Sequence, residues 1–253
     1  MSEIKYGAMT LTLIPGDTYS VTACEKEAVE VVIPAEVDGI PVTEIGDYAF
    51  RGCARLERVT FLEASEERQA KGECLSEAGV HIFMDCTALK KLSFPPYFRT
   101  FGWGTFHSCT ALEEVECHPD TYFAGYSFAH CTALRKITPL STLSEGIFSH
   151  CAALTELPVT DELDSIPEDA FEHCDGLRDI VIPASVTEIG ALAFRGCYEL
   201  KRVTFASPEG WYGSNSYRSE DVPIALGDPA GNAKSLAWMD FDDGELRWYK
   251  KRP

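Results

Sequence analysis

The chain has no apolar run of 18 or more residues, so no segment can span a membrane as a helix. It begins Met1-Ser2-Glu3-Ile4-Lys5-Tyr6, without the basic and apolar regions of an export signal. On the sequence as given a cytoplasmic protein is expected. The alternative is a cell-surface or secreted protein whose leader has been removed. Cations are scarce: 22 Lys and Arg face 40 Asp and Glu, a net charge of −18. Such a field repels phosphate backbones, which excludes nucleic acid as a partner and favours basic ones. Catalytic signatures are missing as well. The chain holds no glycine-rich phosphate loop, no His-Glu-x-x-His run and no Gly-x-Ser-x-Gly elbow. Asp161, Glu162 and Asp164 cluster without calcium-loop spacing. Neither an enzyme nor a cofactor is expected.

What the chain does have is one pattern used seven times. The skeleton Phe-x-x-Cys-x-x-Leu recurs at Phe50/Cys53/Leu56, Phe83/Cys86/Leu89, Phe106/Cys109/Leu112, Phe128/Cys131/Leu134, Phe148/Cys151/Leu154, Phe171/Cys174/Leu177 and Phe194/Cys197/Leu200. Successive phenylalanines are 33, 23, 22, 20, 23 and 23 residues apart. A period in the twenties identifies a leucine-rich repeat solenoid. Each Leu opens a Leu-x-x-apolar-x-apolar run, such as Leu177-Ile180-Ile182, whose alternation is that of a half-buried strand. The runs from Leu134 and Leu154 continue into Pro139 and Val159, so their strands should be shorter, and Pro158, at an outward position, removes one ladder donor. Apolar residues eight and five positions before each Phe, such as Val186 and Ile189, form a back wall, broken once by Asp120. The Phe-x-x-Cys corner is read as one helical turn. Stacking then aligns Phe on Phe and Cys on Cys, each coil touching only its neighbours. Eight parallel strands about 4.8 Å apart make a slab roughly 35 Å long.

These residues resemble the BspA-like leucine-rich repeat family of bacteria, whose pattern reads Leu-x-x-Leu-x-Leu-Pro-x-x-Leu-x-x-Ile-Gly-x-x-Ala-Phe-x-x-Cys. The best copy is Leu177, Ile180, Ile182, Pro183, Val186, Ile189, Gly190, Ala193, Phe194 and Cys197, and the resemblance covers about residues 19–205. It implies a binding or adhesion module, often on the cell surface, without catalytic residues. The expected fold is a strand-dominated α/β leucine-rich-repeat solenoid in one domain, 1–253. Residues 1–27 form an N-terminal cap, 28–205 the repeats and 206–253 a C-terminal cap. A monomer is expected.

The ends and the insertion read as follows. Alternation on both sides of Pro15-Gly16-Asp17 makes residues 6–23 a β-hairpin. Residues 62–80 are an insertion whose Glu63–Lys71 stretch favours helix, with Gly72 as its stop. Ser207–Asn215 is loop-like. Asp228-Pro229 opens a short helix to about Trp238, Asp242-Asp243-Gly244 is a turn, and Glu245–Lys250 is a strand. Trp211, Leu236, Trp238 and Trp248 should cover the last coil. The seven repeat cysteines read as buried reduced thiols, with Cys24 a degenerate eighth and Cys117 in a strand core position. Cys74, in the insertion, is the thiol expected to be free to react.

Three groups of residues are candidate sites. Outward strand positions carry Arg58, Lys91, Glu114, Lys136 and Glu156, and the opposite signs of neighbours from Lys91 to Glu156 suit adjacent strands on a solenoid's binding face. Protein binding there is the expected function. Trp103, Tyr122 and Tyr126, with Tyr97, form an aromatic cluster off the inward pattern, and adhesion to glycans through it is the alternative. His130, His150 and His173 each precede a ladder Cys and should stack about 5 Å apart, the donor chemistry of zinc. Their equivalents are Gly52, Asp85, Ser108 and Gly196, and an inward Cys turns the His away from it, so no metal is expected.

Overall fold

A computed structural model describes residues 2–214, 222–224, 226, 228–237 and 247–250. The repeat winds as a strand-dominated solenoid. Its front is a parallel ladder of Glu30–Ile33, Arg58–Phe61, Lys91–Ser93, Glu114–Glu116 and Lys136–Ile137, with Val31 beside Val59 and Leu92, Val115 and Ile137 in line. Those apolar residues are buried, and their strand neighbours face out.

The ladder is not the uninterrupted slab of eight strands that the pattern implies. The Leu154 coil holds no front strand, only a bridge between Leu140 and Val159. The front resumes as a separate pair, Asp179–Ile182 with Arg202–Phe205. Pro158, expected to face outward, is buried, while Leu157 and Val159 are half-buried. A one-residue slip exchanges the two faces of a strand. The causes lie in the sequence: the shortest step, 20 residues, leads into this coil, and Pro158 brings no N–H to a ladder.

The back wall forms a second parallel ladder that its apolar pairs alone did not reveal. Ile45, Ala78, Phe101 and Phe123 align across Ile40–Ile45, Glu77–Ala78, Thr100–Phe101 and Tyr122–Phe123. The wall resumes at Ser165–Ile166 and Glu188–Ile189.

The corner is a turn, not the helical turn expected. Two left-handed residues build it in every coil. One lies two places before Phe: Tyr48, His81, Gly104, Tyr126, Gly146, Asp169 and Leu192. The other lies just before Cys: Gly52, Asp85, Ser108, His130, His150, His173 and Gly196. This double reversal turns Phe and Cys inward. The seven Phe rings stack with centroids 4.9, 5.4, 5.3, 5.5, 5.5 and 5.4 Å apart. Each ring is at most 1% exposed, and burial stabilises by about 1.5–3 kcal/mol per ring.

The cysteines form a second column. Each thiol from Cys86 to Cys197 donates to the carbonyl of the Phe one coil earlier, for example Cys109 to Phe83 at 3.0 Å and Cys131 to Phe106 at 3.1 Å. Cys24 lies against Cys53 and holds its thiol down at about 7, while its own is raised.

Both ends are closed by antiparallel strands. Met9–Ile14 and Thr18–Cys24 form the hairpin around Pro15-Gly16-Asp17, and Glu3–Tyr6 adds a third strand. Thr18–Cys24 then runs parallel to Ile40–Ile45 and starts the back ladder. At the other end Trp211–Ser214 is a strand where a loop is expected, paired with Arg247–Lys250, which also pairs with Glu188–Ile189. Helix α2, Pro229–Ala237, follows Asp228, whose carboxylate accepts from the N–H groups of Ala230 and Gly231. Trp211, Leu236 and Trp248 are at most 2% exposed. The Asp242-Asp243-Gly244 turn and Trp238 lie outside the described residues.

Within the insertion, helix α1 (Glu66–Lys71) is capped by the Ser65 hydroxyl and ended by left-handed Gly72. Arg68 ties it down, reaching Glu36 at 2.6 Å and Glu73 at 2.9 Å. Cys74 is 6% exposed and burial raises its thiol, so it is not the free thiol expected.

Candidate binding face

The front ladder presents two outward rows. The first holds Glu30, Arg58, Lys91, Glu114, Lys136, Glu156, Asp179 and Arg202, four acids against four bases. Ion pairs run along it. Arg58 meets Glu30 at 2.7 Å, and Lys91 meets Glu114 at 3.1 Å and Glu116 at 3.3 Å, while Lys136 bonds the other oxygen of Glu114. Two lysines hold the Glu114 carboxyl below its usual range, and two carboxylates raise Lys91. Such exposed pairs add little to stability, so they act mainly on register. The expected alternation of charge therefore exists from Lys91 to Lys136, while Arg58, paired with Glu30, stands beside Lys91 with the same sign. The alternation stops at Lys136: Glu156 sits on the slipped coil and forms no ion pair with Lys136. The second row is short and mostly uncharged, with Val32, Thr60, Ser93, Thr138, Val181 and Thr204 beside Glu116. The face is thus close to neutral, and the acid excess of −18 lies elsewhere on the molecule.

Two clefts open on this face. The first, about 560 Å³, lies where Arg58–Phe61 and Lys91–Ser93 share a single paired position, Arg58 with Lys91, and then part. Arg58, Thr60, Lys91 and Ser93 line it. The second, about 620 Å³, lies between the slipped coil and Asp179–Ile182, lined by Glu156, Leu157, Val159, Asp161, Asp179 and Val181. Sequence reasoning missed both clefts, although the steps of 33 and 20 residues mark the coils that precede them.

The aromatic cluster divides. The Tyr97 hydroxyl accepts from the Ala64 N–H at 2.8 Å and so anchors the insertion. Tyr122, 48% exposed, stands on the back wall and stacks with none of the other three. Trp103 and Tyr126 do come together, centroids 5.8 Å apart. The indole of Trp103 lies over Gly125, where a Cβ would sit 2.8 Å from its Cη2. Tyr126 lies over Gly146 and donates to Glu145 Oε1 at 3.0 Å.

The histidines stack as expected. His130 and His150 are 4.4 Å apart with ring planes 11° from parallel, and His150 and His173 are 4.7 Å apart at 17°. His107 lies beside His130 at 5.3 Å but is tilted 58° from it. Parallel rings carry their nitrogens in parallel planes, so these do not converge on one point. Among the described residues, no group of three His, Cys, Asp or Glu is placed to hold a metal ion. Burial, then the neighbouring histidines, lowers His150 below the ordinary histidine range.

Among the described residues no helix is long and apolar enough to cross a membrane. Among curated proteins the sequence has no match. Solved structures do match. A leucine-rich cell-surface protein of Faecalibacterium prausnitzii is 26% identical with a TM-score of 0.66, over 87% of this chain and 60% of that one. The present chain therefore spans about three fifths of that relative's length. A leucine-rich repeat protein of Bacteroides ovatus, 18% identical with a TM-score of 0.54 over 81% of this chain and 71% of that one, shares the fold. The sequence also matches the family described as BspA type leucine-rich repeat region, in 6 copies, over residues 24–145 and 120–221. With stacked Phe and Cys columns and two parallel ladders in place, the chain belongs to the BspA-type leucine-rich repeat family.

Proposed function

We propose that the protein is a non-catalytic scaffold that binds a protein partner on its front ladder. The observation that carries this reading is the neutral, ordered front face of an otherwise acidic chain, with its charges held in register by Glu30, Arg58, Lys91, Glu114 and Lys136. A rigid face of this kind binds without first ordering loops, which lowers the entropic cost of association. Residues 28–205 supply the coils, with 1–27 and 206–253 as caps of one unit. The chain acts as a monomer and needs no cofactor.

A second reading has its own observation. Trp103 is 47% exposed and lies with one end of its ring over Gly125 beside Tyr126, a platform of the kind on which a sugar ring stacks. Adhesion to host or matrix glycans would use it. The likeness to a protein named as a cell-surface protein supports placement at the surface rather than in the cytoplasm. The test compares two variants in a cross-linking capture and on a glycan array. The triple variant Arg58→Ala, Lys91→Ala, Lys136→Ala should lose the protein partner and keep any glycan. Trp103→Ala with Tyr126→Ala should do the reverse. Loss of neither interaction in either variant rejects both assignments.

A further inference from the structure

The second cleft joins an open strand edge to an acidic wall. Strand Asp179–Ile182 is paired on one side only. On that side the carbonyl of Arg178 accepts from Lys201 and Arg202, and that of Ile182 from Ala206. Backbone groups along a strand point alternately to its two edges. The N–H and C=O groups of Asp179 and Val181 therefore point the other way, into the cleft. No backbone hydrogen bond joins them to the slipped coil. The coils are pinched together just before this point, since a Cβ on Gly176 would meet the carbonyl oxygen of Leu154 at 2.3 Å. They then part into a cavity of about 620 Å³.

The walls of that cavity specify a chemistry. Val181 is 60% exposed and Leu157 and Val159 are half-buried, so its floor is apolar. Glu156, Asp161 and Asp179 stand around it, and among the described residues none of the three forms an ion pair. Arg202 is the neighbour of Asp179 across the strand pair, yet no ion pair joins them. The other cleft, by contrast, mixes Arg58, Lys90 and Lys91 with Glu57 and Glu63. An open strand edge is a template for another extended chain. Side chains of such a chain alternate between its two faces.

We infer that this cleft takes an extended partner segment of alternating basic and aliphatic residues, paired to the free edge of Asp179–Ile182. The aliphatic side chains cover Val181, and the Lys or Arg side chains meet Glu156, Asp161 and Asp179. At about 3.3 Å per residue, four or five residues of the segment span the strand. The inference rests on the protein-binding reading and names the chemistry of the segment bound.

The test uses fluorescein-labelled peptides of three sequences, six-residue repeats of Lys-Val, Lys-Gly and Glu-Val, titrated with the full chain at about physiological salt and read by anisotropy. Lys-Val should bind, and both others should bind at least tenfold more weakly. Neutralising Glu156→Gln, Asp161→Asn and Asp179→Asn should weaken Lys-Val by about two- to fivefold each. Val181→Pro removes an edge donor while leaving the pairing to Arg202–Phe205, and should weaken it about fivefold or more. Val181→Lys keeps the backbone and should repel the same peptide, which guards against a folding defect in the proline variant. Glu66→Gln with Glu67→Gln, on α1, should change nothing. The inference is overturned if Lys-Gly binds as well as Lys-Val, if the α1 variant loses as much as the cleft variants, or if Lys-Val fails to bind at about 1 mM. It is also overturned if the Arg58, Lys91, Lys136 variant loses a protein partner while the cleft variants do not, in which case the broader reading survives.

Discussion

Replacing Cys131 tests the thiol column directly. Its sulfur lies 3.1 Å from the Phe106 carbonyl oxygen and is fully buried. That oxygen also accepts the Cys109 N–H at 3.0 Å. In Cys131→Ala the carbonyl therefore keeps one partner, and no orphaned polar group is created. What is lost is one buried sulfur, a weak hydrogen bond and the filling of a small void, together about 1–2 kcal/mol. Cys131→Ser looks gentler and should be worse. The shorter Cβ–O bond draws the hydroxyl back from the carbonyl. A buried hydroxyl with a poor partner costs about 1–3 kcal/mol of desolvation in addition to the lost sulfur. The expected order of stability is wild type, then Ala, then Ser, read as urea midpoints at constant m-value. In the folded protein Cys109, Cys131, Cys151 and Cys174, whose thiols burial pushes well up, should stay silent to a thiol-reactive dye until urea is added. A serine variant as stable as the alanine one, or reaction of these four thiols without denaturant, would refute the argument.

The remaining expectations concern the ring columns. Phe128→Ala, in mid-stack between Phe106 at 5.3 Å and Phe148 at 5.5 Å, should cost about 3–5 kcal/mol by equilibrium urea unfolding. The histidine stack should make the fold acid-sensitive. Burial lowers His107 and His150 below their unfolded value of about 6.5, so the unfolded chain binds more protons and stability falls as pH drops through about 6.5. Asp169 works the other way: burial, then Glu172, Glu168 and Glu145, raises it to about 6, so acidification from about 6 to about 4 adds stability. Asp169→Asn should therefore steepen the loss of stability between about pH 7 and pH 5, and an unchanged slope would contradict the assignment. Gly125→Ala should displace the Trp103 indole, seen as a shifted resonance in ¹⁹F NMR of fluorotryptophan-labelled protein, while costing less than about 1 kcal/mol, because a flexible ring end gives way.

How much of this was legible follows from what repeats. The inward Phe, Cys and Leu positions repeat the same residue in every set, so the columns could be read off the spacing. Back-wall strands of two residues, such as Thr100–Phe101, are too short for alternation to show, and only their burial was legible. The left-handed columns were hidden for a different reason. His150, Ser108, Asp85 and Gly52 share a backbone conformation but no chemistry. The glycines at fixed offsets, Gly52 and Gly196 in one column and Gly104 and Gly146 in the other, were the available signal. The Lys91–Glu114–Lys136 chain was legible because strand register follows from the repeat. Glu156 is exposed as expected but falls outside the charge chain, because its coil forms no front strand. Burial of Cys74 could not be read at all, since the insertion has no second copy with which to align it.

A solenoid of identical coils offers the same surface at every level and has no reason to bind anything at one height rather than another. Specificity has to enter where the period fails. Here it fails twice within the front ladder, after the 33-residue step and after the 20-residue step, and a cleft follows each failure. The long step carries extra chain, which folds into α1 and is pinned by Arg68 and Tyr97, so the ladder persists through one paired position. The short step takes chain from the coil before the cleft, and in the 23-residue coil that follows, Pro158 brings no N–H, so no front strand forms. The backbone of Asp179 and Val181 is left without its neighbour, while the Phe148 and Phe171 rings beneath remain 5.5 Å apart. The core thus stays continuous while the surface opens, which lets a binding edge exist without loss of the stacking that holds the molecule together.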